Sequence, residues 1–370
     1  MKAVDLGKTI GVLVAGTMGA GIFALPALFR VSGWATGFFY LFALGALVSS
    51  VHLLYWKVLE KTNGEHRLFG LVERFLGKNY AVFAFLLVVF GLALVLLIYL
   101  LLGEKFLSFL FPELNGVAIY AFWIAASVPL FFGIKKVAGG ESLVALATGG
   151  IALFLFAKTQ EPFAIFEGSA FSLKNIALPF GPILFAVSGW VSTQTMFNAW
   201  RANKRPGTPR FLIAAGTLTV LLIYSIFVMS TAQVAGGVSG GIDLPSWAGV
   251  FGKEITTIIA LFGLLAVWAA YIPLALEIKS TMESDLRMSK AHSLLVALLT
   301  PLALFSLGLK NFLGIVGLVG GVFGAAQYIL LLLVAKKALD KNTWQSALIG
   351  LGIAVFSLGG AYEIYHFLFA

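Results

Sequence analysis

Two short runs in this chain carry backbone chemistry where a plain helix would carry none. Gly16, Thr17, Met18, Gly19, Ala20 and Gly21, followed by Ile22-Phe23-Ala24-Leu25-Pro26, lie in the middle of the first long apolar segment. Ser188, Gly189 and Trp190, followed by Ser192, Thr193, Gln194 and Thr195, make the middle of a later segment unusually polar. Lipid supplies no hydrogen-bond partners, so each N–H or C=O freed by a helix break costs several kcal/mol unless protein, water or a ligand satisfies it. Freed amides at the start of a half-helix, where the macrodipole is positive, can hold a carboxylate. Carbonyls at the facing stump can hold an ammonium or a cation. Together they suit a zwitterion. Thr17, Met18, Gly19, Ala20 and Gly21 on one run and Ser188, Gly189 and Trp190 on the other are therefore the candidate binding residues. The glycines permit close approach and Trp190 offers a flat apolar wall. Taken singly, a G-x-G also serves close helix packing and a tryptophan in a span also faces lipid or core. Two breaks at matching places favour the binding reading.

The elements that must position these runs follow from composition. The chain has 370 residues, is 60% hydrophobic and 11% charged, and its mean hydropathy is +0.99. That is more apolar surface than a soluble domain of this length buries, so an all-α polytopic membrane protein is expected. There is no cysteine, which removes disulfides and thiolate chemistry. Four histidines, His52, His66, His292 and His366, lack metal-ligand spacing, and nothing points to a metal or another cofactor. The basic excess of a membrane protein arises from its loops, so no nucleic-acid partner is inferred. The N-terminus shows no cleavage-site pattern of a removable signal.

Segments of about 20 apolar residues fall at 7–31, 35–58, 79–103, 115–135, 141–157, 176–199, 211–236, 254–278, 290–309, 311–335 and 345–369. With the N-terminus inside, 19 of the 25 Lys and Arg residues fall on the inner side. Positive charge sets orientation over short loops, so the N-terminus is expected in the cytoplasm and the C-terminus outside, in the cell (inner or plasma) membrane. The inner connector 60–78 spaces Leu68, Leu71, Val72, Phe75 and Leu76 on one helical face, as an interfacial helix would. The outer connections 158–175 and 237–253 are candidates for a lid.

The two breaks lie five spans apart, so the halves run in opposite directions through the membrane. This is the pattern of an inverted repeat with a midplane site between discontinuous helices. The first five-helix repeat is assigned to 1–157, the second to 158–335, and an eleventh helix to 336–370.

The run GAGIFALP, the connector GEHRLFGLVERFLGK, the loop WRANKRPGTPRFLIAAGTL and the stretch LGLKNFLGIVGLVGGVFG resemble the amino acid/auxin permease and aromatic amino acid permease branch of the amino acid–polyamine–organocation superfamily. The resemblance implies a LeuT-like fold of two inverted five-helix repeats, broken at spans 1 and 6, plus an eleventh helix. It implies amino acid transport by alternating access, with backbone at Thr17–Gly21 and Ser188–Trp190 on the amino acid and with Tyr99 facing the outer side of the pocket. Sodium-coupled relatives carry a hydroxyl pair in span eight; here that stretch reads Val267-Trp268-Ala269-Ala270-Tyr271. Some proton-coupled relatives place a lysine from span five there; here Thr148 and Gly149 occupy its middle. Ala269, Ala270 and Thr148 thus mark an altered ion-site region, and a proton fits better than sodium as the coupling ion. His52 and Glu277 are the ionisable groups available to carry it. The structural reading is the stronger one: His52 bonds a neighbouring carbonyl and Glu277 pairs with Lys279 or Arg201.

No Asp or Glu lies near either break to hold a cationic side chain, and no Lys or Arg to hold a second carboxylate. A neutral amino acid is the expected substrate: apolar or aromatic from the Ala, Phe, Val and Met around the breaks, or small and polar from the Ser and Thr of span six. An exchange-type permease of another small amine is the near alternative. An intramembrane enzyme would need a nucleophile and a base together at depth, and no such pattern is present. An ion channel gives no reason for matching breaks in opposed repeats.

Overall fold

The computed structural model describes residues 2–63, 67–131, 140–159, 161, 163–202, 207–232, 243–284, 286–340 and 342–369. His66, Lys135, Lys136, Lys204 and Arg205, as well as 233–242 of an outer connection, lie outside the described residues. The described residues are helical with connecting turns and contain no strand. In chain order the helices are α1 (Lys2–Thr17), α2 (Leu25–Ser32), α3 (Trp34–Lys61), α4 (Leu68–Leu76), α5 (Lys78–Leu110), α6 (Ala118–Ser127), α7 (Gly140–Lys158) and α8 (Phe180–Val187). They continue as α9 (Trp190–Ala202), α10 (Pro209–Ser230), α11 (Leu244–Phe251), α12 (Lys253–Ser284), α13 (Lys290–Ser306), α14 (Phe312–Leu318), α15 (Ala325–Ala338) and α16 (Thr343–Phe369).

Six described helices are long and apolar enough to cross a membrane by themselves: α3, α5, α10, α12, the continuous α14–α15 and α16. A seventh crossing is the pair α1 and α2, bent by 49° at its break. The remaining apolar segments are short helices, α6, α7 and α13, and the broken pair α8 and α9. The chain is a multi-pass membrane protein.

α5 runs through the centre. Leu96 to Leu102 are all buried, because a helix apolar all round is surrounded by other helices rather than by water. Phe39, Phe83, Phe90, Leu222 and Leu358 are exposed on the outside of the bundle, where lipid rather than water meets them. α4 keeps its apolar face but turns it onto protein, not onto the membrane interface: Leu68, Leu71 and Val72 are buried against α5 and α15, Phe75 and Leu76 are half-buried, and Glu73 and Arg74 are exposed.

One departure from a plain bundle lies in the tenth segment, expected to be a continuous helix. Val319–Gly324 forms a π-helical stretch between α14 and α15, in a run holding three glycines. Such bulges are frequent at functional sites. The connection between α7 and α8 is tied to its neighbours. Its Ser169 and Ala170 carbonyls accept hydrogen bonds from Trp34 N and Ala35 N, both at 3.1 Å, so it staples the α2–α3 corner. Gly33 turns that corner with φ of +91°, a conformation that favours glycine, and a Cβ there would strike the Ala170 backbone.

Candidate functional site

Both expected breaks are present. α1 stops at Thr17, the last helical bond is Met18 N to Val14 O (2.9 Å), and Gly19 takes φ −127°, ψ −147° before a 3₁₀ turn over Ala20–Ala24 restarts the chain. α8 stops at Val187, Ser188 is extended (φ −72°, ψ 118°), and α9 restarts as Thr193 N bonds Gly189 O at 3.0 Å. The two breaks lie against each other. A Cβ on Gly189 would meet the Thr17 hydroxyl, one on Gly16 the Ser192 hydroxyl, and one on Gly21 the Ala186 backbone. Absent side chains let two unwound backbones touch.

The freed backbone groups are taken up by three tyrosines from other spans. Tyr224 on α10 points its hydroxyl at both stumps, 3.1 Å from Thr17 O and 2.9 Å from Ala186 O. Tyr328 on α15 accepts from Gly189 N at 3.3 Å and lies 3.2 Å from Ser188 Oγ and 3.1 Å from His52 Nε2. Tyr99 on α5 brings its hydroxyl against Gly19 and hydrogen-bonds the Ala20 backbone. The Trp190 indole donates to Gln327 Oε1 (2.9 Å), whose amide nitrogen in turn donates to Leu87 O (3.1 Å). The tryptophan is thus a fixed wall.

These groups enclose a cavity of about 70 Å³, room for several waters by the rule that one needs about 10–15 Å³. Thr17, Gly19, Ala20, Gly21, Tyr99, Ser188, Gly189 and Trp190 all line it. Met18 does not line it; it is fully buried, its backbone ending α1. The π-helical stretch supplies a further wall through Val319, Gly320, Phe323 and Gly324. Among the described residues, no Asp, Glu, Lys or Arg lines the cavity.

On the side of the N-terminus the cavity adjoins a second void of about 40 Å³, bounded by Gly16, Val191, Thr195, Ala269, Ala270 and Leu274. On the opposite side lies an aromatic cluster: Phe23 stands edge-on to Phe106 (5.3 Å) and Phe227 (5.8 Å), and Trp247 of α11 lies 6.1 Å from Phe227.

The candidate ion residues are scattered. Ala269 and Ala270 border the second void, whereas Thr148 is buried on α7 with an unpartnered hydroxyl and borders neither void. His52 is buried behind the second break on Tyr328. Glu277 pairs with Arg67, not with Lys279 or Arg201 as the sequence suggested. Lys279 is 2.7 Å from Glu283, and Arg201 donates to Asn63 O. The helical register put Lys279 two residues away, on another face, while α4 brings Arg67 to α12 from a distant part of the chain. Among the described residues no cluster of His, Asp and Glu could hold a metal.

Sequence reasoning missed Tyr224, Gln327, Tyr328 and the π-helical wall. Only the glycine run of that wall carried a signal.

No protein-family model matches the chain, and no curated protein matches its sequence. Among solved structures it is similar to MhsT in complex with L-phenylalanine, at 14% identity with a TM-score of 0.70, covering 96% of this chain and 98% of that one. It is also similar to a mutant of the manganese transporter of Eremococcus coleocola, at 10% identity with a TM-score of 0.67 over 99% and 88% of the two chains. A third likeness is to Mhp1, a nucleobase-cation-symport-1 family transporter in a closed conformation with bromovinylhydantoin bound, at 13% identity with a TM-score of 0.62 over 98% and 92%. The fold is LeuT-like: two inverted five-helix repeats, the first helix of each discontinuous, with an eleventh helix added.

Proposed function

We propose that the protein is a secondary transporter that moves a neutral amino acid across the cell membrane by alternating access, within the permease branch its sequence resembles. The observation that carries this reading is the pair of abutting breaks around a cavity without charged side chains. Backbone at Thr17–Gly21 and Ser188–Trp190 binds the ammonium and carboxylate. Gln327 and Tyr99 hold the walls to which the side chain packs. The two halves, 1–157 and 158–335, rock about this site, while 336–370 adds the eleventh helix. The N-terminal face is cytoplasmic, as the basic residues of its loops require.

A cavity of about 70 Å³ favours a small side chain in this conformation. The related fold of MhsT, seen with L-phenylalanine, supports an aromatic substrate if Phe323 and Val191 withdraw. Ala269 and Ala270 give no hydroxyls to a sodium ion. His52 and Glu277, each already engaged by a partner, fit structural work at their present places.

Uptake of a panel of labelled neutral amino acids into proteoliposomes, with sodium, pH and membrane potential varied separately, tests this reading. Saturable uptake or exchange of at least one of them is expected, unchanged when choline replaces sodium. Folded protein that neither takes up nor exchanges any of them overturns the transporter reading, and a sodium requirement overturns the argument from Ala269 and Ala270.

A further inference from the structure

Glu363 on α16 is a buried carboxylate that nothing above employs. It is 4% exposed and is the sole acidic residue of its helix. An ionisable side chain at such depth is costly and marks function more often than packing. Its Oε1 accepts the N–H of Gly181 at 2.9 Å, in the first turn of α8. The space it occupies is made for it: a Cβ on Gly181 or Gly321 would overlap its side chain, and one on Gly317 would come within 3.2 Å of Oε2. Three glycines from two spans thus form a cradle for one carboxylate.

α8 is the half-helix whose far end, Val187 and Ser188, forms the second break. Glu363 therefore grips the start of the element whose end makes the substrate site, about 10 Å away at 1.5 Å per residue. As an anion it makes a charge-assisted bond at the positive end of the helix. Once protonated it loses that charge. Glu363 also borders a cavity of about 410 Å³ that reaches the outer loop, lined as well by Lys310, Asn311 and His366.

The groups that face it are few. α8 and the stretch 312–324 carry no titratable side chain. α2 borders the cavity through Leu28, with Arg30 exposed. Lys310 is exposed and lies over the Phe305 ring at 5.0 Å. On α16 itself His366 stacks on Tyr362, which shares a neighbouring apolar groove with Tyr40 of α3.

We propose that Glu363 is the proton-binding residue of this transporter: a proton entering from the outer cavity neutralises the carboxylate, weakens its hold on Gly181 by removing the charge, and lets α8 move with the substrate site. The inference rests on the transporter reading above. It assigns the proton to span eleven and not to His52 or Glu277.

The test compares the full chain with Glu363→Gln in proteoliposomes, and both proteins by infrared difference spectroscopy as pH is stepped. The glutamine keeps an acceptor for Gly181, so folding is retained; Gly317→Ala, whose Cβ would come within 3.2 Å of Oε2, serves as the second variant. Glu363→Gln is expected to lose accumulation driven by an inward proton gradient while keeping exchange at equal pH. It should also lose the carboxylic C=O band that appears in the wild type on acidification. Gly317→Ala should shift that band and its midpoint. Gradient-driven accumulation at the wild-type level in Glu363→Gln, or a wild-type band that survives the substitution, overturns the proposal. If no neutral amino acid is transported but the band titrates and depends on Glu363, the substrate reading fails and the proton site stands.

Discussion

At the scale of single residues, the glycines of the first break are not equivalent. A Cβ on Gly21 would press on the backbone of Ala186, which cannot swing away, whereas one on Gly19 meets the tip of the Tyr99 side chain, which can. Gly21→Ala should therefore destabilise the fold by about 1–3 kcal/mol, the usual range for overpacking, read as a lower unfolding temperature in detergent. Gly19→Ala should fold normally and weaken amino acid binding by up to about tenfold, the worth of one hydrogen bond at the wall. Tyr99→Phe in the Gly19→Ala background should then cost less than in the wild type, because the two changes act on one contact. Additive losses in that cycle would separate Tyr99 from the break. A similar asymmetry singles out Tyr224. Its hydroxyl faces a carbonyl in each broken span, so Tyr224→Phe leaves Thr17 O and Ala186 O without it. A stability loss of about 1–3 kcal/mol is expected for unsatisfied buried polar groups, and an unchanged unfolding midpoint would show that water has taken its place.

At the scale of elements, the breaks were legible because glycine and polar residues are out of place in mid-span, and their positions follow from the residues themselves. Ser188 and Gly189 interrupt α8–α9 where the polar run begins, and Gly19 ends α1 within the glycine run. The face of α4 was legible for the same reason, since its apolar spacing is local. The partners that satisfy the breaks were not legible. Tyr224, Gln327 and Tyr328 sit in apolar spans where a tyrosine or glutamine has no local signature, and they act across 38 to 276 residues of chain. Glu363 did carry a local signal, a lone carboxylate in an apolar span, but its partner Gly181 lies 182 residues away. Trp190 illustrates how an element is held. Its indole is fixed by Gln327, which is itself fixed to Leu87 O on α5, so three spans share one chain of hydrogen bonds. Gln327→Leu removes both links and leaves the indole N–H and Leu87 O unpaired. Substrate affinity should fall more than in Trp190→Phe, which frees only the Gln327 carbonyl, and equal losses would mean that the tryptophan acts by bulk alone.

At the scale of the whole molecule, the ties between the first break and α5 lie on the side away from the N-terminus. There Phe23 meets Phe106 and Trp247 lies against Phe227, while Tyr99, which meets Gly19, stands between and lines both voids. Towards the N-terminal face, Tyr55 bonds Gln194 and Trp56 packs on Phe197 and Trp200, which ties α3 to α9 and leaves the second void beside Gly16 and Thr195. Thr195 is exposed there, although it lies within a helix expected to cross the membrane. On the transport reading proposed above, this asymmetry corresponds to a state tied shut on one face, with the second void on the other, and the loop charges assign that other face to the cytoplasm. Because the chain has no cysteine, single cysteines report the arrangement without background. Lys57→Cys, at the exposed end of α3 on the N-terminal face, should resist a membrane-impermeant maleimide in intact cells and react in inverted vesicles. Thr195→Cys should follow it, and an added neutral amino acid should slow its labelling, since substrate would fill the adjoining cavity. Cross-linking Phe23→Cys to Phe106→Cys with a short bifunctional reagent should stop transport yet leave Thr195→Cys reactive. If Lys57→Cys labels from inside while Thr195→Cys labels from outside, the topology is right and the closed face has been assigned to the wrong side; if both label in intact cells, the charge argument itself fails.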